Sequence, residues 1–206
     1  MITLHHLNQS RSKRIIWLLE ELGIDYQITP YLRDSQTFLA PPELKAVHPL
    51  GKSPVIEEDG MIIAESGAIT EYLISKYAQG ELEPLRGTDE HTDYIQWLHF
   101  AESSAALPLL LKVFLAKDGA PTNFLAEYAE SELEKVMSYV DERLAGKRYL
   151  VADKLTGADI MMSFIVDILA KFNALERYPN ISRYGKQLAS HPAYQKAEQL
   201  EIHYDA

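Results

Sequence analysis

Three short segments in the first seventy residues carry side chains able to bind or activate a small polar molecule. The first is Asn8-Gln9-Ser10-Arg11-Ser12. It lies between an apolar run and a helical pattern, so its hydroxyls stand at a helix N-terminus. Free backbone N–H groups and the helix dipole favour an anion there, and a thiolate is one such anion. A capping serine has the same signature, and capping accounts for this segment taken by itself. The second segment is His48-Pro49-Leu50-Gly51-Lys52-Ser53-Pro54-Val55. A proline opening a strand can mark a cis bond that exposes the preceding backbone. Exposed strand-edge groups can pair with a peptide-like ligand as an added strand, and Lys52 would meet a carboxylate there. An ordinary turn is the simpler account, and the Gly-x-x-x-x-Gly-Lys of a P-loop is absent. The third segment is Glu65-Ser66-Gly67-Ala68-Ile69-Thr70. Ser66 is predicted to cap the next helix, with Glu65 just outside it. Together they would hold a zwitterion, Ser66 and the helix amides on its carboxylate and Glu65 on its ammonium. Capping beside a solvated glutamate again suffices for the segment alone.

The elements that position these residues follow from periodicity. Met1–Leu7 reads as a strand, and Ser12–Leu22 carries apolar residues at helical spacing, stopped by Gly23. Tyr26–Leu32 reads as a strand that Pro30 confines to a sheet edge. Pro42–Val47 is a short helix or turn. Pro54–Glu57 and Met61–Ala64 form a hairpin around Glu58-Asp59-Gly60, and Ser66–Tyr77 is helical. The order is β-α-β-α-β-β-α. Glu81–His91 is polar with Pro84 and Gly87 and reads as a linker. Beyond it lie helical patterns only: Thr92–Lys117, predicted to bend or break near Pro108, then Thr122–Leu144, Asp159–Phe172, Ile181–Ala189 and Pro192–Leu200. Strands followed by a run of helices predict two domains.

Composition narrows the function. The chain has 206 residues, 47% of them hydrophobic and 24% charged, within the range of a globular protein. It has no cysteine, which excludes a protein thiol nucleophile, a redox pair and a thiolate metal site. The seven histidines show no His-x-x-x-His or His-x-His spacing, and His5 and His6 should face opposite sides of a strand, so no metal site is expected. A formal net charge of −10 disfavours nucleic acid as a partner. The first residues lack the order of a signal peptide, and no apolar run of membrane-spanning length is evident, so no membrane partner and a cytoplasmic location are expected. Trp17 is expected in the core.

Taken together, the order and spacing of the three segments resemble the cytosolic glutathione transferase family, over nearly the whole chain. The matching motifs are Pro-Leu-Gly-Lys-x-Pro-Val at Pro49–Val55 and Glu-Ser-x-Ala-Ile at Glu65–Ile69. Ser10-x-Ser12-x-Arg14, the helix end Leu18-Leu-Glu-Glu-Leu-Gly23 and the capping box Thr156-Gly157-Ala158-Asp159 match as well. Within the family the serine segment is most similar to bacterial and fungal serine-type members. The resemblance implies an α/β thioredoxin-like N-terminal domain over 1–80, a linker over 81–91, and an all-α C-terminal domain over 92–206 that holds an electrophile pocket. It implies glutathione as co-substrate, no metal, and a homodimer joining one subunit's first domain to the other's second. The γ-glutamyl contact would fall on Glu65 and Ser66, the cysteinyl backbone contact on Ser53 with Pro54 and Val55, and the glycyl carboxylate on Lys52 aided by His48. Thiol activation would fall on Ser10, Arg11 or Ser12. Ser10 is favoured by its place before the helix, and Ser12 is expected to be the cap. His5 and His6 occupy the position where other members carry a tyrosine. Trp97, His99, Phe100, Glu102 and Ser103 would serve the cleft, the partner subunit or the core.

The expected chemistry is attack of glutathione sulfur on an apolar electrophile. A free thiol titrates near about 8.5, and lowering that by ~2 units takes roughly 2.7 kcal/mol. A hydroxyl, helix amides and Arg11 are of the kind that supplies it. Two other readings fit the same residues: a glutathione-dependent disulfide reductase or peroxidase, and a non-catalytic glutathione-binding scaffold.

Overall fold

The structure is a computed structural model that describes residues 1–205; Ala206 lies outside the described residues. Contacts divide the chain into two compact units, Met1–Leu82 with the segment from Ala189 onward, and Glu83–Leu188.

The first unit is built on a four-stranded sheet. Its strands are β1 (Ile2–Leu7), β2 (Tyr26–Tyr31), β3 (Val55–Glu58) and β4 (Met61–Ala64), in the order β2-β1-β3-β4. β1 runs parallel to β2 and antiparallel to β3, and β3 runs antiparallel to β4. Pro30 sits on the edge strand β2, as its missing N–H requires. The β3–β4 turn has Asp59 and Gly60 at φ 50° and 80°, the paired positive values of a tight hairpin. Helix α1 (Ser12–Leu22) ends at Gly23 in the left-handed region. Helices α2 (Pro42–Val47) and α3 (Ser66–Tyr77) complete the expected order. Ile15, Ile16, Leu18 and Leu19 of α1, Ile69, Leu73 and Ile74 of α3, and Ile2 and Leu4 of β1 are buried. Their spacing is the 3.6- and 2-residue periodicity that the sequence displays.

One helix of this unit comes from the far end of the chain. Helix α9 (Pro192–Asp205) packs on α1, against the expectation that everything from residue 92 onward joins the helical domain. The buried Trp17 indole meets Tyr194 edge-on at 5.2 Å and His191 at 6.0 Å. Lys13 Nζ donates to the Tyr194 hydroxyl at 3.1 Å and lies 4.5 Å from the centre of its ring. The sheet and α3 cover part of α1, and α9 packs on it from the side of Lys13 and Trp17.

The second unit is helical: α4 (Asp89–Glu102), α5 (Ala106–Asp118), α6 (Leu125–Arg143), α7 (Gly157–Lys171) and α8 (Pro179–Ala189). The long pattern expected to bend or break near Pro108 is broken just before it, at Ser103–Ala105. Pro108 lies in the first turn of α5, where a missing N–H costs no helical bond. Residues Asp89–Asp118 contain a window long and apolar enough for a membrane span, against the expectation that no such run exists. The break makes them two helices, and 33% of that window is buried within the protein. Trp97 is core, stacked on Tyr139 at 5.8 Å and edge-on to Phe100 at 5.0 Å. Helix α7 opens on the expected capping box. The buried Asp159 carboxylate accepts from Thr156 N and Oγ1 at 2.9 and 3.0 Å, Leu150 N at 3.0 Å and the Tyr184 hydroxyl at 2.8 Å.

Candidate active site

The serine segment leaves β1 and enters α1 through Gln9, which has a φ of 50°. Ser10 and Ser12 are buried and their hydroxyl oxygens lie 3.0 Å apart. Ser12 is the first helical residue, and the N-cap position belongs to Arg11, whose side chain makes no capping bond. The expectation that Ser12 caps α1 is therefore corrected. Its backbone N–H donates to Ser10 Oγ at 3.2 Å, and its own hydroxyl turns inward to His6 Nδ1 at 2.5 Å.

Ser53 joins this cluster from the second segment. Its hydroxyl donates to the His5 carbonyl at 2.8 Å, accepts the Leu7 N–H at 3.1 Å, and lies 3.5 Å from Ser10 Oγ. The Ser53–Pro54 bond is cis. Strand β3 is interior, paired through Val55 to His5 on one side and Ala64 on the other, so it offers no open edge. Only Ser53 and Pro54 stand beyond both registers, which confines strand-like pairing with a ligand to this point. Val55 and Pro54 are buried, whereas Lys52 is exposed at the rim. The half-buried His48 is occupied by its own turn: its Nδ1 accepts the Leu50 N–H at 3.4 Å and its carbonyl the Gly51 N–H at 2.8 Å.

The third segment differs from a simple cap. The N-cap of α3 is Glu65, exposed and held at φ 69°, and it makes no side-chain capping bond. Ser66 is the first helical residue; its hydroxyl accepts from the buried Arg14 Nη2 at 2.5 Å. A non-glycine residue in the left-handed region carries local strain, a feature that clusters at ligand sites. Burial holds the Arg11 guanidinium below its ordinary pKa, opposed by the negative charge of Glu65. Burial lowers Arg14 further, and the neighbouring Arg11 adds to it. Because a guanidinium stays charged, these directions describe a region whose cations gain from an added anion.

The fold thus brings Ser10, Ser12, Ser53 and Pro54 to one place, and sets Arg11 near Glu65. Sequence alone assigns no site role to His6, Arg14 or Asp205. His6 Nε2 lies 2.9 Å from Asp205 Oδ1 on α9, and the Gln9 N–H donates to Asp205 Oδ2 at 3.3 Å. The alternation of β1 does separate the two histidines: His5 turns away to the Tyr31 hydroxyl at 2.9 Å. Among the described residues, no three His, Cys, Asp or Glu side chains converge as a metal site.

Residues 1–75 match the glutathione S-transferase N-terminal domain, and residues 104–192 match its C-terminal domain. Glutathione S-transferase 1 of Saccharomyces cerevisiae is 36% identical over 94% of this chain and 92% of its own. The chain belongs to the cytosolic glutathione S-transferase family. A crystal structure of a glutathione S-transferase from Actinobacillus pleuropneumoniae superposes with a TM-score of 0.89 at 39% identity, covering 98% of this chain and 93% of that one. A glutathione transferase homologue from Lodderomyces elongisporus, solved with two glutathione molecules per subunit, shares the fold with a TM-score of 0.83 at 20% identity over 97% and 98% of the two chains. The mixed four-stranded sheet of the first unit and the helices of the second are this chain's form of the family's two domains.

Proposed function

We propose that this protein conjugates glutathione, through its thiolate, to small apolar electrophiles. The observation that carries the reading is the convergence of Ser10, Ser12 and Ser53 beside cis-Pro54 at the start of α1. It is the place where a cysteinyl thiol would meet hydroxyls and helix amides together. The glutathione bound to the structurally similar Lodderomyces homologue supports the same substrate. Glutathione's γ-glutamyl end is assigned to Glu65 and Ser66, with Arg14 behind Ser66 and Arg11 beside Glu65. Its cysteinyl backbone is assigned to Ser53, Pro54 and Val55, and its glycyl carboxylate to Lys52 with His48 at the rim. The chain contains no cysteine, so the only thiol in the reaction is the substrate's. The protein's part is to hold that thiol deprotonated and to place it against the electrophile. The working form is assigned as a cytoplasmic homodimer.

The test is a parallel assay with an aryl halide, hydroxyethyl disulfide and cumene hydroperoxide. Turnover of the aryl halide above the other two is expected. Dominant disulfide or peroxide turnover would reassign the enzyme as a reductase or peroxidase. Retention on glutathione resin with no turnover of any of the three would make it a scaffold.

A further inference from the structure

His6 is fully buried on β1, at the centre of a chain of hydrogen bonds that spans most of the sequence. Asp205 Oδ1 lies 2.9 Å from its Nε2, and Ser12 Oγ lies 2.5 Å from its Nδ1. Ser12 Oγ is 3.0 Å from Ser10 Oγ. The direction of every bond follows from the ends. An ionised carboxylate only accepts, so Nε2 carries a hydrogen. In a neutral imidazole Nδ1 is then bare, so the Ser12 hydroxyl donates to it. Ser12 has spent its one hydrogen, so the Ser10 hydroxyl donates to Ser12 Oγ at 3.0 Å, the shorter of its two acceptor contacts, the other being Ser53 Oγ at 3.5 Å. In this polarity the Ser10 hydrogen points into the protein, and Ser10 can only accept from a further partner. A thiol is a donor and suits that polarity; a thiolate needs a donor and does not.

We propose that Asp205, His6, Ser12 and Ser10 form a proton relay that carries the hydrogen of the glutathione thiol inward to His6 and reverses its own polarity in doing so. The proposal rests on the reading that Ser10 faces the thiol. The thiol S–H bond breaks and its proton forms a new O–H bond at Ser10. The former Ser10 hydrogen passes to Ser12 Oγ, and the former Ser12 hydrogen passes to His6 Nδ1. No electrons leave the system: the products are a thiolate and an imidazolium paired with the Asp205 carboxylate. Ser10 now points its hydrogen outward and donates to the thiolate it helped to form. His6 and Asp205 act through the serines and are positioning residues. The charged and titratable groups around His6 are Asp205 and Tyr204 on α9, the latter with its ring 6.5 Å away. Arg33, just beyond β2, feels the Asp205 charge and lies 3.5 Å from the Gln9 carbonyl through Nη2. The Asp205 carboxylate is the group that makes an imidazolium tolerable in a buried place.

The test uses the whole protein labelled with ¹⁵N-histidine, with the His6 signals assigned through His6→Asn. Without ligand, His6 is expected to show a protonated Nε2 and a bare Nδ1. Saturating glutathione should protonate Nδ1, whereas S-methylglutathione, which has no thiol hydrogen, should bind and leave Nδ1 bare. Asp205→Asn keeps the acceptor oxygen and removes the charge. It should raise the pH at which bound glutathione shows thiolate absorbance by about one unit, a tenfold loss of thiolate, with glutathione affinity unchanged. A His6 already protonated without ligand, or one that responds alike to both ligands, overturns the relay. So does a thiol titration that Ser10→Ala shifts and Asp205→Asn does not, an outcome that leaves the transferase reading intact. Absence of any spectral response to either ligand overturns both.

Discussion

At Glu65 and Ser66 two neighbouring side chains with the same expected role are separated by their backbones and partners. Glu65 is exposed at φ 69°, so Glu65→Gly removes the carboxylate and relieves the left-handed strain together. We predict a ten- to hundredfold loss of glutathione affinity, about 1.5–3 kcal/mol, by titration calorimetry, with a melting temperature equal to or above that of the parent. Ser66 accepts from the buried Arg14. Ser66→Ala should therefore lose affinity and also about 1–3 kcal/mol of stability, because a buried charged donor loses one of its acceptors. Equal effects of the two substitutions on melting would contradict this assignment. The activator is tested in the same way. Ser10→Ala should raise the pH of thiolate formation by bound glutathione without changing its affinity, whereas Arg11→Ala should weaken affinity and leave that titration nearly in place. The reverse pattern would make Arg11 the activator.

At the level of elements, one buried carboxylate ties β3 to α3. Glu58 accepts from the Tyr72 hydroxyl at 2.6 Å and from the Tyr77 hydroxyl, and pairs with Lys76 at 2.9 Å. Burial alone would raise its pKa, but the three donors outweigh burial and bring it down to about 2. A folded-state pKa below the unfolded value stabilises the protein above the unfolded pKa, and that stabilisation is lost as pH falls through the folded one. The melting temperature should therefore drop between about pH 4.5 and 2, and Glu58→Gln should flatten that limb. A parallel decline in the variant would assign acid sensitivity elsewhere. Helix α9 permits a second test. Tyr194→Ala removes the ring against Trp17 and one partner of Lys13, and should cost about 2–4 kcal/mol by denaturant titration. An unfolding midpoint that does not move would mean that α9 contributes nothing to the stability of α1.

For the molecule as a whole, the assigned homodimer predicts twice the chain mass by sedimentation equilibrium at micromolar concentration. A single-chain mass there would refute it. The chain is also closed on itself at the scale of the first unit. Residues 6 and 205 share a hydrogen bond across 199 positions, so the serine segment depends on the last turn of the last helix.

Much of this was legible in the amino-acid order because it is local. The apolar periods of α1 and β1, the hairpin at Asp59-Gly60, the edge position of Pro30 and the capping box at Thr156–Asp159 are each decided within a few residues. The three candidate segments were legible as turns for the same reason: each is short, and its hydroxyls, proline or carboxylate announce a helix or strand start. Tertiary structure decided where their hydroxyls point. Ser12 and Ser66 have the types and positions of caps, yet each stands one residue inside its helix and turns to a buried partner, His6 or Arg14. A hydroxyl chooses between its own backbone and a neighbour according to what the fold brings near, and nothing in a local window records that neighbour. The same holds for α9, whose place on α1 depends on contacts such as that of Tyr194 with Lys13, 181 positions away. The distance between His6 and Asp205 along the chain is why the sequence does not link them, and only packing made them a pair.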